Sequence, residues 1–233
     1  MSLALSACAS SSVPAESGQG SHPDHHGAGH DDPHHHGHST VHHDFSDAAS
    51  WAKRFDDPAR DAWQKPAHVA ELLALTPGLT AVDLGAGTGY FEKYLAQAVG
   101  PGGKVLALDV EPNMIAFMRD RFAKEGITNA EPRVCPTDGT GLSAGSVDRV
   151  LIVDTWHHIE ARSAYASHLA SILRPGGFVL IVDFTLETDK GPPVKHRIPP
   201  EKVMAELAAG GLDATIIEEA LPDQYVIKGR KKP

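Results

Sequence analysis

The run Val82-Asp83-Leu84-Gly85-Ala86-Gly87-Thr88-Gly89-Tyr90-Phe91 constrains this chain most. It reads as a short apolar strand ending in an acidic residue, then a loop with glycines at alternate positions, then a helix beginning at Tyr90. Alternating glycines permit positive φ and let a ligand approach the backbone without meeting a Cβ. The helix N-terminus beyond them offers unpaired N–H groups to a carboxylate or phosphate. A strand, loop and helix joined in this way mark a small-molecule site in an α/β protein.

The spacing narrows the ligand. A dinucleotide loop needs G-x-G-x-x-G, its third glycine allowing close helix–strand packing. Gly85 and Gly87 fit, but Tyr90 holds the third position and Gly89 comes one residue too early. Asp83, two residues before the first glycine, stands where a carboxylate can hold a cationic amine. Farther on, Lys104 to Asp109 reads as a second strand ending in an acid. It lies about 20 residues past the glycines, where nucleotide-binding α/β folds place a carboxylate for ribose hydroxyls.

Three more segments follow in order: Arg133 to Asp138, Ser146 to Ile159, and Leu173-Arg174-Pro175-Gly176-Gly177 leading to Asp183. Together with Val82–Gly89 and Lys104–Asp109 they resemble the ordered landmarks of the class I S-adenosylmethionine-dependent methyltransferases, over roughly residues 75–185. The resemblance implies a Rossmann-like α/β fold. Its sheet would be seven-stranded and mostly parallel, with a reversed last strand and helices on both faces. It implies S-adenosyl-L-methionine as cofactor, with Asp83, Gly85, Gly87 and Gly89 around its methionine end and Asp109 on the ribose. Met114 would pack on the adenine, or serve as plain core, and Asp138 would bond the adenine amine. The loop after the fourth strand would face the transferred methyl, which makes Asp154, Trp156, His157 and His158 candidates. His157 is the candidate base and Asp154 a further catalytic or donor-binding group. Trp63, Trp156 and His196 are candidates for the substrate or lid side.

Periodicity agrees with the α/β reading. Strand-length apolar runs alternate with longer helical patterns. Phe91, Leu95 and Val99 recur at four-residue spacing, Ile115, Met118 and Phe122 follow i, i+3, i+7, and Val203 and Leu207 mark a later helix. Ala214 to Glu219 and Gln224 to Lys228, separated by Leu-Pro-Asp, read as an antiparallel hairpin.

Three segments differ in composition. Residues 1–44 are read as a disordered His-rich tail, 45–75 as a helical cap or lid, and 76–233 as the donor-binding domain. The first fifty residues carry no Lys or Arg, and ten of the chain's fifteen histidines fall between His22 and His43. Such a segment cannot bury enough apolar surface to offset its ordering entropy. Its imidazoles, among them His25, His26, His34, His35 and His36, are ligands for adventitious Zn or Ni. Leu5-Ser6-Ala7-Cys8 resembles a bacterial lipobox, which makes Cys8 a candidate for lipidation and membrane anchoring. An envelope lipoprotein is the expected location, and the cytoplasm the alternative. In the cap, Asp57-Pro58 reads as a turn between two short helices, and Arg60 and Asp61 as a surface pair.

Net charge is −9, which disfavours nucleic acid as a partner. Two cysteines, Cys8 and Cys135, exclude a disulfide framework and the cysteine-rich site of an arsenite-type enzyme. The expected function is methyl transfer from S-adenosylmethionine to a small organic acceptor, the small-molecule partner of the chain. The alternatives are an NAD(P)-dependent oxidoreductase, or a metal-handling envelope protein that uses the fold as a scaffold.

Overall fold

The computed structural model describes residues 47–218 and 221–231. The His-rich tail, its candidate metal ligands and Cys8 lie outside the described residues. Five strands run parallel: β1 (Thr80–Leu84), β2 (Lys104–Asp109), β3 (Ala130–Val134), β4 (Val147–Val153) and β5 (Leu173–Phe184). A closing hairpin of β6 (Leu212–Ile217) and β7 (Gln224–Lys231) completes a sheet of order β3-β2-β1-β4-β5-β7-β6, in which β7 is antiparallel to both neighbours. This is the seven-stranded, mostly parallel sheet with a reversed last strand expected from the sequence.

The strand alternation sorts side chains onto two faces. Val82, Leu84, Leu106, Leu108, Val150 and Ile152 join the layer of α6 (Arg162–Ile172) and α7 (Pro200–Ala209). Ala81, Val105, Leu151 and Leu180 pack beneath α3 (Pro66–Leu72) and α4 (Glu92–Val99). On that same face Ala107 meets Ile115, Met118 and Phe122 of α5 (Pro112–Glu125). The helical periodicities in the sequence therefore mark buried stripes: Phe91, Leu95, Val99, Val203 and Leu207 are all buried. Pro112 and Pro200 each open a helix, where a missing N–H costs nothing. Gly126 closes α5 in the left-handed conformation.

Local boundaries differ from expectation at three points. The helix after the glycine loop begins at Glu92, not Tyr90, because Tyr90 and Phe91 are drawn into the core as an edge-to-face ring pair. The third strand starts at Ala130, three residues before Arg133. Arg174-Pro175-Gly176-Gly177 is a bulge within β5 and not a turn before it: Val147 pairs with Leu173, but Arg149 pairs with Phe178. Gly177 suits that bulge because a Cβ there would lie 2.9 Å from the Arg174 carbonyl oxygen.

Before β1, α1 (Ala48–Phe55), α2 (Arg60–Gln64) and α3 follow one another. Asp47 caps α1 by accepting from Ser50 N at 3.0 Å, and Asp57 accepts from Ala59 N in the turn to α2.

Candidate active site

The sheet order reverses between β1 and β4, and the connections leaving these strands pass to opposite faces, α4 to one and α6 to the other. A crevice must open at their C-terminal ends, which is where open α/β sheets bind ligands. A cleft of about 750 Å³ lies there, lined by the glycine loop, the ends of β2 and β4, α1, α2 and the loop after β5.

The glycine loop is pinned to β2. Gly85 N and Ala86 N both donate to the Leu108 carbonyl, and Gly87 N donates to Asp109 Oδ2 at 2.8 Å. Asp109 Oδ1 also accepts from Glu111 N, so this carboxylate organises the loop from the cleft wall. Burial raises its pKa, while these backbone donors oppose the rise. A Cβ on Gly85 would lie 2.3 Å from Thr155 Oγ1, so this glycine admits the loop after β4. Gly87 faces the cleft, with only the Phe55 ring near its Cβ position.

Gly89 requires a correction. It is not among the cleft-lining residues; a Cβ there would lie 2.8 Å from Phe122 Cε1, so its task is to let α5 pack against the loop. Met114 is 1% exposed and lines the cleft, serving core and site together. Asp138 is corrected too: it is exposed and off the lining, and Cys135, Pro136 and Thr137 form that wall instead.

Asp83 lines the cleft at 2% exposure, and its Oδ2 has no donor. Behind it on the first turn of α4, Glu92 is wholly buried with neither oxygen partnered by a donor.

The N-terminal helices are latched across the glycine loop. Thr88 Oγ1 and Arg121 Nη1 both donate to Asp56 Oδ1, and Tyr90 OH donates to Asp61. Arg60 is therefore not the surface partner of Asp61 that the sequence suggested. It lies over the Tyr90 ring at 4.2 Å, donates to the Phe55 carbonyl and to Gln64 Oε1, and stands 3.6 Å from Asp154 Oδ2.

At the end of β4, Asp154 adopts φ +52°, a left-handed conformation that aspartate tolerates better than most residues. Gln224 Nε2 of β7 donates to Asp154 Oδ1, and Gln64 Nε2 of α2 donates to Gln224 Oε1, each at 2.5 Å. Arg60, Gln64, Gln224 and Asp154 thus close a ring joining three distant parts of the chain. Burial pushes the Asp154 carboxyl up to about 7, against the lowering influence of Arg60.

His157 lines the cleft on a short 3-10 turn (Trp156–His158). Its Nδ1 lies 2.9 and 3.0 Å from the two oxygens of Asp183 at the end of β5. The side chains are 5% and 2% exposed. Burial alone would lower the His157 pKa; the hydrogen bond and charge of Asp183, with the charge of Asp154, outweigh it and the net shift is upward. The carboxylate fixes Nδ1 as the protonated nitrogen and leaves Nε2 as the acceptor. His158 stacks against His157 with centroids 4.2 Å apart and also lines the cleft.

Trp63 lines the cleft with its ring 5.9 Å from Phe184. Trp156 does not: it is wholly buried, donates from Nε1 to Glu206 Oε2, and meets Tyr165 edge-on. The sequence placed it on the substrate side because it sits in the right loop, but its large apolar body fills the core under α6. His196 is likewise off the lining; its loop reaches the cleft through Asp189 to Pro193.

Asp183 as the partner of His157, Glu92 behind Asp83, and the glutamines around Asp154 were not found from sequence. Asp183 ends the strand next to β4, so a residue search along neighbouring strand ends finds it once the strand order is assumed. Gln64 and Gln224 lie 160 residues apart and carry no local signal. Among the described residues no group of three or more His, Cys, Asp or Glu side chains is placed to hold a metal.

Residues 81–177 match the family model described as Methyltransferase domain. The chain is 28% identical over 127 residues to the ubiquinone/menaquinone biosynthesis C-methyltransferase UbiE of Hydrogenovibrio crunogenus, covering 54% of this chain and 49% of that protein. It is 34% identical over 110 residues to an arsenite methyltransferase of Halobacterium salinarum, covering 47% of this chain and 28% of that protein. The chain thus spans about half the length, or less, of these curated relatives. A solved SAM dependent methyltransferase from Aquifex aeolicus superposes with a TM-score of 0.74 at 26% identity, covering 78% of this chain and 98% of that one. With the sheet order, the glycine loop and the cleft at the switch point, these matches make residues 81–177 a methyltransferase domain and give the chain the fold of the class I S-adenosylmethionine-dependent methyltransferases.

Proposed function

We propose that the protein transfers a methyl group from S-adenosylmethionine to a small, ring-bearing organic acceptor whose proton is removed by His157. The observation that carries this reading is the His157–Asp183 pair at the cleft wall. When bound, the donor supplies an electrophilic methyl on a sulfonium, open to in-line displacement. The cleft wall has the parts to receive it: a buried carboxylate without a donor for the ammonium, a glycine loop without side chains, and Met114 beside Val110 for a flat base.

On the acceptor side the chain's residues orient and deprotonate. Trp63, Phe184 and Phe55 offer aromatic faces to a planar ring. Asp183 holds the imidazole so that Nε2 can take a proton from a hydroxyl or an activated C–H, and stabilises the imidazolium that results. Arg60 of α2 lines the cleft beside Asp154 and places a positive charge at that end. The C-methyltransferase relative supports a carbon acceptor of this type. The arsenite relative does not transfer its acceptor here. Cys135 is the sole cysteine among the described residues, and burial pushes its thiol up to about 11, away from the thiolate that arsenic chemistry needs. The dinucleotide alternative finds no support, since the position of the third glycine is filled by a buried tyrosine.

Labelled-methyl transfer to a panel of phenols and 1,3-dicarbonyl compounds tests this, with calorimetry on S-adenosylhomocysteine for the donor site. His157→Gln is expected to lower kcat about 10²- to 10⁴-fold and to leave donor affinity within about twofold. A variant as active as wild type on any turned-over acceptor would remove His157 from the mechanism.

A further inference from the structure

Asp83 and Glu92 form a buried carboxyl pair that the methyl-transfer mechanism leaves unused. Counted as carboxylates, Asp83 Oδ2 and both Glu92 oxygens have no hydrogen-bond donor, at 2% and 0% exposure. A proton on either acid lets them bond to each other. Among the described residues no basic side chain is committed to them. Arg60 of α2 and Asp109 of β2 act on Asp83 only through their charges, and Arg121 of α5 acts so on Glu92. Arg60 is engaged with Gln64, the Phe55 carbonyl and Asp154, and Arg121 with Asp56, Glu125 and the Thr88 carbonyl. Two adjacent buried carboxylates without a counter-ion cannot both stay ionised. The pair lacks one positive charge, and Asp83 opens it to the donor side of the cleft.

We propose that Asp83 and Glu92 together form a single-cation site, which holds a proton while the cleft is empty and exchanges it for the α-ammonium of the methyl donor. The carboxyl O–H bond breaks, its proton leaves to solvent, and an ammonium N–H donates to the freed carboxylate. The site carries one net negative charge before and after, so the exchange does not require a second buried charge to be left unpaired. Glu92 is a positioning residue in this scheme: it never touches the donor but fixes the protonation of the residue that does. The exchange falls in the neutral range, since burial pushes Asp83 up to about 7, and burial with the charge of Asp83 raises Glu92 well above its ordinary value. The proposal rests on the donor reading of the cleft.

Calorimetry with S-adenosylhomocysteine in phosphate and in Tris at one pH tests it, because protons released on binding add the buffer's own ionisation heat. Wild type is expected to release on the order of one proton near pH 7, and its affinity to rise up to about tenfold per pH unit between pH 6 and 8. Glu92→Gln removes the second acid and offers Asp83 an amide N–H, so binding should persist with proton release reduced and a shallower pH profile. Asp83→Asn should weaken binding at every pH. Binding heats in wild type that are the same in both buffers, with affinity flat from pH 6 to 8, overturn the proposal. So does wild-type proton release with an unchanged pH slope retained in Glu92→Gln, which would assign the proton to Asp83 alone, to Asp154 or to His157. Absence of any binding would overturn the donor reading itself, and the proposal with it, so the two failures are distinct.

Discussion

Gly85 and Gly87 share a loop and positive φ values of +77° and +56°, but they are glycine for different reasons. Gly85 yields space to Thr155, whereas Gly87 yields space to the cleft. Gly85→Ala should therefore destabilise the fold by about 2–3 kcal/mol, the sum of a left-handed penalty and a displaced Thr155. Gly87→Ala should cost only about 1 kcal/mol of stability. It should weaken S-adenosylhomocysteine binding more than Gly85→Ala does once the latter's instability is allowed for. Thermal melts with and without the ligand separate the two; equal melting temperatures would refute the distinction. The sequence shows that all three glycines of the loop matter, because their spacing is local. It does not show that Gly89 answers to Phe122, since that neighbour arrives from a helix 33 residues on and only the packed fold brings it there. Trp156 illustrates the same limit, being read from its loop and claimed by the core.

Among the elements, the loop from Thr185 to Arg197 has no buried residue of its own and is tied together by one side chain. Arg197 donates to the carbonyls of Thr185, Leu186, Thr188, Lys190 and Pro192. A guanidinium can satisfy this fan of acceptors and an ammonium cannot. Arg197→Lys should speed amide hydrogen exchange and protease cleavage within residues 185–196 by about tenfold or more, while β1 to β5 stay protected. Because the loop lines the cleft through Lys190, Gly191 and Pro192, the acceptor KM should rise more than kcat falls. Exchange unchanged in the loop would show that Arg197 does not hold it. The helices and parallel strands were legible because their periods repeat within a few residues. This loop was not: the sequence drew attention to His196, and the ordering group is its neighbour, whose acceptors are backbone atoms that no residue type reveals.

For the molecule as a whole, the buried acids set the pH dependence of stability. Asp83, Glu92 and Asp154 have folded pKa values raised above their ordinary ones, and His157 is raised as well. A raised group favours the folded state fully below its unfolded pKa and loses that contribution as pH climbs through its folded value. All four therefore act in one direction, the acids from about pH 4 upward, Asp83 and Asp154 to about 7, and the histidine above about 6.5. Glu131 and Asp223 have lowered values and oppose this only as pH falls toward 2, and their surface pairs are worth little. The ligand-free protein should have a Tm about 5 °C or more higher at pH 5 than at pH 8. Glu92→Gln should flatten that slope, and a Tm that rises toward pH 8 would contradict it. At this scale the sheet order was legible through family likeness and through alternating periods. The pairing of acids across strands was not, because proximity between Asp83 and Glu92, or His157 and Asp183, exists only after the layers close.

The hydrogen bond between Gln64 and Gln224 also sets an order of assembly. Strands β1 to β5 pair among themselves without the closing hairpin. Asp154 receives its amide donor, and α2 its inner anchor, only once β7 has slipped between β5 and β6. The Asp154 end of the cleft therefore depends on the closing hairpin, whereas the glycine loop does not. A chain with β1 to β5 paired but β7 undocked would carry the glycine loop and still lack the amide bridge that ties α2 to Asp154.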